Sequence, residues 1–142
     1  MSALPSGNPI ILEEVFGRGV GELAEKMQIV FYELSAERSV ATMPVEGNRQ
    51  PYGILHGGAH VVLAESLGSF AANVHAGAGK VAMGIEINAS HSRSAATGTI
   101  VGVCTAISLG KTLTVHEIAI SDAEGRRLST VRITNFISDA RR

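Results

Sequence analysis

Two features of this chain have the residue types and spacing for chemistry: a lone acid, Glu65, and a double glycine, Gly57-Gly58, that precedes it. Glu65 is the only formal charge between Ala59 and Val74, and its neighbours at three and four residues are Val61, Val62, Gly68 and Ser69. No helical ion pair accounts for it, and Ser69 on the same face can donate it a hydrogen bond. An unpaired carboxylate on a buried helix is costly and its pKa should rise, which makes the group a functional candidate. The plainer reading is a glutamate on a locally exposed strip. At Gly57-Gly58 the first N–H groups of a helix lack internal partners, the dipole favours negative charge, and glycine lets a ligand approach the backbone, so an oxyanion hole fits there. The plainer reading of the glycines is a tight turn. At 1.5 Å per residue the two features stand about 12 Å apart along one helix, too far to share a reacting atom. Two copies related by a two-fold can bring Gly57 of one chain to Glu65 of the other, so if both groups react, the protein is at least a dimer.

The element that must carry them is the run from Ala59 to His75, rich in Ala, Leu and Val and free of proline. It reads as a helix with apolar residues on every face, and such a helix is buried, so the other elements must wrap it. Pro51 and Gly53 mark the turn that delivers it. Before it, 27–34 and 38–44 read as a strand hairpin. After it, 80–92, 99–109, 112–121 and 127–137 read as four strands, with Asp122-Ala-Glu-Gly125 as a hairpin turn. Asn8 and Pro9 read as the start of a short helix over 8–16, a second covers about 21–26, and loose tails lie at 1–8 and 138–142. Two strands, one helix and four strands make an α+β chain, a curled antiparallel sheet around one long buried helix. Residues 1–142 form a single domain, with 1–26 its tail and short helices.

Net charge is −1, which leaves no basic footprint for nucleic acid. Cys104, the only cysteine, falls in an apolar strand pattern and reads as a small core residue, with no internal disulfide or cysteine-rich zinc site possible. No stretch reads as a signal peptide or a membrane span, so the cytoplasm is the expected compartment. Ala76-Gly-Ala-Gly-Lys80 faintly resembles a phosphate loop, but Val81 stands where Ser or Thr is needed and the element order is reversed, so it reads as a helix exit. His56 and His60, four apart, could face one metal, but no third ligand is visible and no metal is expected.

Gln50-Pro-Tyr-Gly-Ile-Leu-His-Gly-Gly-Ala, followed by Leu-Ala-Glu-Ser-Leu-Gly-Ser69 and later by Gly-Ile-Glu-Ile-Asn-Ala-Ser-His-Ser-Arg93, resembles the hotdog-fold acyl-CoA thioesterases. The branch is that of the Glu-type 4-hydroxybenzoyl-CoA, 1,4-dihydroxy-2-naphthoyl-CoA and phenylacetate-pathway thioesterases. The likeness runs over roughly 27–137. It implies a hotdog fold and hydrolysis of a thioester, with aryl acyl groups preferred and no metal or redox cofactor. It implies Glu65 as nucleophile or general base, Gly57 N–H from the opposite subunit as oxyanion donor, and Gln50 and His56 holding the thioester. Ser69 would bond Glu65 or the water. Gly58, His91, Arg93 and Lys111 would meet CoA, the last two through phosphate. From the residues alone His91 and Arg93 read as a polar strand end and Lys111 as a charged turn. His60 stands where the family has a small residue, and reads as exposed rather than as part of an acyl pocket. The implied assembly is a homodimer at least and a homotetramer by the family's habit. The thioester's carrier is CoA, with acyl carrier protein open. An acyl-thioester dehydratase or hydratase, and a non-catalytic acyl-CoA-binding module, are the rival readings.

Overall fold

The computed structural model describes residues 2–141; the tail positions Met1 and Arg142 lie outside the described residues. Two short helices, α1 (Leu12–Phe16) and α2 (Glu22–Lys26), lead into β1 (Val30–Leu34) and β2 (Arg38–Pro44). The long helix α3 (Gly57–Ala76) follows, and β3 (Lys80–His91), β4 (Thr99–Leu109), β5 (Leu113–Ser121) and β6 (Arg127–Asp139) complete the chain. The strands pair antiparallel in one sheet of order β1-β2-β4-β5-β6-β3, which curls around α3 and touches it through β2 to β6.

Several boundaries move for local reasons. Helix α1 starts at Leu12 behind Ile11, with no side-chain cap, so Asn8 caps nothing. Strand β1 starts at Val30 because Met27 still closes α2 and Gln28 turns left-handed at φ 60. Strand β6 runs on to Asp139, where the exposed carboxylate pairs with Lys80 at 2.6 Å. The glycine-rich exit of α3 is as read, with Gly77 and Gly79 at positive φ.

The larger correction concerns α3. Its buried residues are Ala59, His60, Leu63, Ala64, Leu67, Gly68, Ala71 and Ala72, a stripe at helical spacing that faces the sheet. Val62 and Phe70 are partly buried, and Phe70 meets Phe16 of α1 and Phe31 of β1 edge-on at 5.5 and 5.1 Å. Glu65 and Val74 are exposed. Apolar composition on every face therefore does not bury every face, because one chain supplies a sheet for one side only. The close approach on that side depends on two glycines. A Cβ on Gly68 would stand 2.4 Å from Ile133, and one on Gly102 would stand 2.5 Å from Leu67.

Strand β3 is a sheet edge. At Ala82 its outward N–H and C=O are taken by the Asn73 side chain, at 2.9 and 3.1 Å. Met83 and Ile85, 65% and 61% exposed, continue that edge toward His91.

Candidate active site

The mouth of α3 is built from the turn before it. Arg49 bridges Leu55, Gln50 N–H bonds Ile54 C=O at 2.8 Å, and Gly53, at φ 82, returns its N–H to Gln50 C=O at 3.0 Å. Asn48 anchors this turn by donating its amide to Met27 and Pro44 carbonyls, and its own carbonyl accepts His56 N–H. Gln50 Oε1 accepts Tyr52 N–H, which leaves the Gln50 amide NH2 as a donor. His56 is the N-cap, and its Nδ1 accepts Gly58 N–H at 2.8 Å. That bond places the neutral ring's proton on Nε2. It also commits Gly58 N–H, so the oxyanion role narrows to Gly57, whose N–H makes no hydrogen bond among the described residues. Uncharged donors at a helix N-terminus suit an oxygen that gains negative charge.

His91, at the end of β3, lies across this mouth: its Nε2 is 3.1 Å from where a Cβ on Gly57 would stand. Its Nδ1 meets Ser129 Oγ at 2.7 Å, and the same oxygen meets His60 Nδ1 at 2.9 Å. His60 is therefore not exposed, as expected, but 3% exposed, because its position on α3 faces the sheet. Burial, and then repulsion from His91, lower its pKa to about 4. His56 and His60 do not converge on a metal: one caps the helix and the other points to β6. Arg93 is exposed just beyond β3.

Glu65 departs from expectation. In the single chain it is exposed, which is the plainer reading of a glutamate on an open strip of the helix. It lines a cleft of about 420 Å³ with Ser69, Val62, Phe70, Val20 and Leu23, and another of about 240 Å³ with Gly84, Ile85, Ile87 and Ile133. Ser69 shares the first cleft but makes no hydrogen bond to Glu65; its carbonyl holds Asn73 instead. Lys111 stands apart. Its turn is tied by Gly110 C=O to His75 Nε2 at 2.7 Å, at the far end of α3, about 27 Å from Gly57 by helical rise. One chain thus gathers Gln50, His56, Gly57, Gly58, His91 and Arg93 at one end of α3, sets Glu65 and Ser69 midway, and leaves Lys111 at the other end.

Two polar residues were missed. Ser129 and Asn135 share the inward face of β6 with Val131 and Ile133 and are fully buried. Their signal was a polar residue at an apolar parity of the strand. Asn135's amide has no partner among the described residues, and its Oδ1 and Glu65 Oε1 each lie 3.7 Å from where a Cβ on Gly84 would stand. Cys104 is core, its thiol pushed up to about 11 by burial. His116, also buried, bonds Ala36 C=O.

This helix-in-sheet architecture is a hotdog fold, and the chain belongs to the thioesterase superfamily, whose model matches residues 52–129. It is 41% identical over 127 residues to the proofreading thioesterase EntH of Cronobacter sakazakii, covering 89% of this chain and 93% of that one. It is also 41% identical over 129 residues to 1,4-dihydroxy-2-naphthoyl-CoA hydrolase of Escherichia coli, covering 90% and 95%. Among solved structures, a mutant thioesterase from Pseudomonas aeruginosa superposes with a TM-score of 0.84 at 32% identity, covering 94% of this chain and 97% of that one. The protein is a hydrolase acting on thioesters. No helix among the described residues is long and apolar enough to cross a membrane.

Proposed function

We propose that this chain hydrolyses acyl-CoA thioesters to a carboxylic acid and CoA, with ring-bearing acyl groups its preferred class. The observation that carries the reading is the mouth of α3, where Gly57 N–H is left without a partner among the described residues while Gly58 N–H is taken by the capping His56. The thioester oxygen docks there and gains charge as the carbonyl is attacked. Glu65 is the attacking or water-activating carboxylate. As nucleophile it forms an acyl anhydride and expels the thiolate, and water then cleaves the anhydride; as base it takes a proton from water, which adds to the carbonyl directly. Either course consumes one water and needs no metal or redox cofactor. The likeness to a naphthoyl-CoA hydrolase supports the aryl preference.

The site is completed by a second copy. The open edge of β3, with exposed Met83 and Ile85, suits antiparallel pairing of two sheets about a two-fold. Such pairing would cover the cleft that Glu65 shares with Ile85 and bring the carboxylate toward the other copy's Gly57. The family's habit of pairing dimers into a tetramer extends this assembly.

Thiol release measured over a panel of aryl-, fatty- and enoyl-CoAs tests the reading. Hydrolysis with the lowest KM for aryl thioesters is expected. Loss of the enoyl double bond without free thiol would instead assign a hydratase, and tight binding without turnover an acyl-CoA-binding module.

A further inference from the structure

We infer that His60 and Ser129 are positioning residues for the hydrolysis proposed above: Ser129 bridges two imidazoles and holds the His91 ring across the mouth of α3, with Nε2 turned to Gly57. The inference rests on that proposal for its function and on the geometry of the bridge for its form. Three elements meet in the bridge. His60 comes from the first turns of α3, Ser129 from β6, and His91 from the end of β3, where it pairs across the sheet with Ser129 itself. Ser129 Oγ lies 2.9 Å from His60 Nδ1 and 2.7 Å from His91 Nδ1, and the two rings are 5.0 Å apart.

A hydroxyl has one proton, so the two Nδ1 atoms cannot both be acceptors toward it. An Oγ that accepted from both rings would leave its own proton unpaired in the core, which burial penalises. So either His60 Nδ1–H donates to Ser129, which donates to His91, or Ser129 donates to His60 and accepts from His91 Nδ1–H. In both arrangements His60 is neutral, as its burial requires. Each arrangement dictates the state of His91 Nδ1, and with it whether the neutral ring offers a proton or a lone pair at Nε2. The ring at the mouth is therefore held in place and in tautomer by a residue that never meets solvent. The His91 ring carries no other hydrogen bond among the described residues, so the bridge is its one polar anchor. The inward parity of Ser129 and the His at position 60 thus acquire a common purpose: both are polar groups on core-facing positions, and each satisfies the other.

The test uses the full chain and two readouts. Nitrogen-15 NMR of the imidazoles, with His91 assigned by its own substitution, reads the tautomer. At alkaline pH the unaltered chain is expected to show His91 in a single tautomer, and Ser129→Ala to show the mixture of a free imidazole. Kinetically, Ser129→Ala and His60→Ala should each lower kcat/KM roughly tenfold, as loss of an orienting partner does. The double variant should lose no more than either alone, since both break one bridge. Ser129→Thr, which keeps the hydroxyl on a residue suited to a strand, should recover activity to within about twofold. An unchanged His91 tautomer in Ser129→Ala, or losses that multiply in the double variant, would overturn the inference. Absence of thiol release in the unaltered chain would instead remove the proposed hydrolysis, and the NMR comparison would still decide the bridge.

Discussion

At the mouth of α3 the polar atoms are held by their own chain: His56 by Gly58 N–H, Gln50 by Tyr52 N–H, and His91 and His60 by Ser129. Two turns further along the same helix Glu65 is exposed and makes no hydrogen bond among the described residues. On the proposed mechanism the contrast follows from what each chemistry requires. Donors that stabilise a developing oxyanion work by being fixed beforehand, and neighbouring backbone can fix them. A carboxylate that attacks a carbonyl or takes a proton works by losing water, and in this fold one sheet has already been spent on the opposite face of α3. The first requirement is local and a single chain meets it. The second calls for another surface, and the open edge of β3 lies beside the cleft that holds Glu65.

The widest separation between the two regions should appear in Glu65→Gln. The change keeps the shape of the side chain, and because the residue is exposed the fold should be unaffected. Thiol release should fall by about a thousandfold or more, as when a reacting group is removed while binding groups remain, with the far-UV circular dichroism unchanged. A rate within a few-fold of the parent would take Glu65 out of the chemistry.

Gly57→Pro attacks the other region by deleting the free N–H at a position where a helix tolerates proline. A loss of about a hundredfold is expected from one missing oxyanion donor. The two variants together sharpen the comparison further. If the reacting pair spans two copies, co-refolded Glu65→Gln and Gly57→Pro chains form mixed dimers with one intact site, and about a quarter of parental activity returns in a one-to-one mixture. Pairing within one chain predicts no recovery.

The comparison also shows what the amino-acid sequence could and could not disclose. Strand positions, the order of elements and the helix entry at Gly57 were legible, because turn residues, alternation and the glycine pair each act over a few residues. The environment of Glu65 was not legible from composition. Ala, Val and Leu on all sides of α3 state that each face will be covered, not that one chain covers them. His60 was misread for the converse reason: judged by residue type it belonged outside, yet its spacing with Ala59, Leu63, Ala64 and Leu67 put it on the stripe facing the sheet. Ser129 and Asn135 lay in an otherwise ordinary strand, and a partner 69 residues away in the chain, as for Ser129 and His60, has no local signature.

The cost of keeping His60 inside the mouth should be visible in stability. Its pKa is about 4 in the folded chain against 6.5 unfolded, so the unfolded state binds the proton first as pH falls. The neutral ring contributes no penalty above about pH 6.5; stability is lost progressively from there down to about pH 4, and levels off below. The lost amount is about 3 kcal/mol at 1.36 kcal/mol per unit. His116, lowered by its burial, adds loss of the same sign. Urea unfolding of the parent and His60→Asn at pH 7.5 and pH 4.5 isolates the His60 share, because the variant retains every other titrating group. The difference between the two proteins should shift toward the variant at the lower pH; a difference independent of pH would mean that His60 takes up its proton in place.

The smallest effect is expected where the single chain gives least support, at Lys111. Arg93 is exposed just past the His91 end of β3, whereas Lys111 sits on an exposed turn near the other end of α3. Both were assigned to CoA phosphate, but no extended ligand bound at one mouth reaches both without another copy of the chain supplying the lysine. An exposed ammonium meeting phosphate contributes about 1 kcal/mol or less and is screened by salt. Lys111→Ala should therefore raise KM for an acyl-CoA by about two- to fivefold at low ionic strength, leave kcat alone, and lose its effect at about 0.5 M salt, where the Debye length is roughly half its physiological value. The same substitution should not alter KM for a truncated thioester that ends at the pantetheine thiol arm. If it does, the lysine acts on the assembly and not on the phosphate, and the CoA site must be drawn from the mouth of α3 alone.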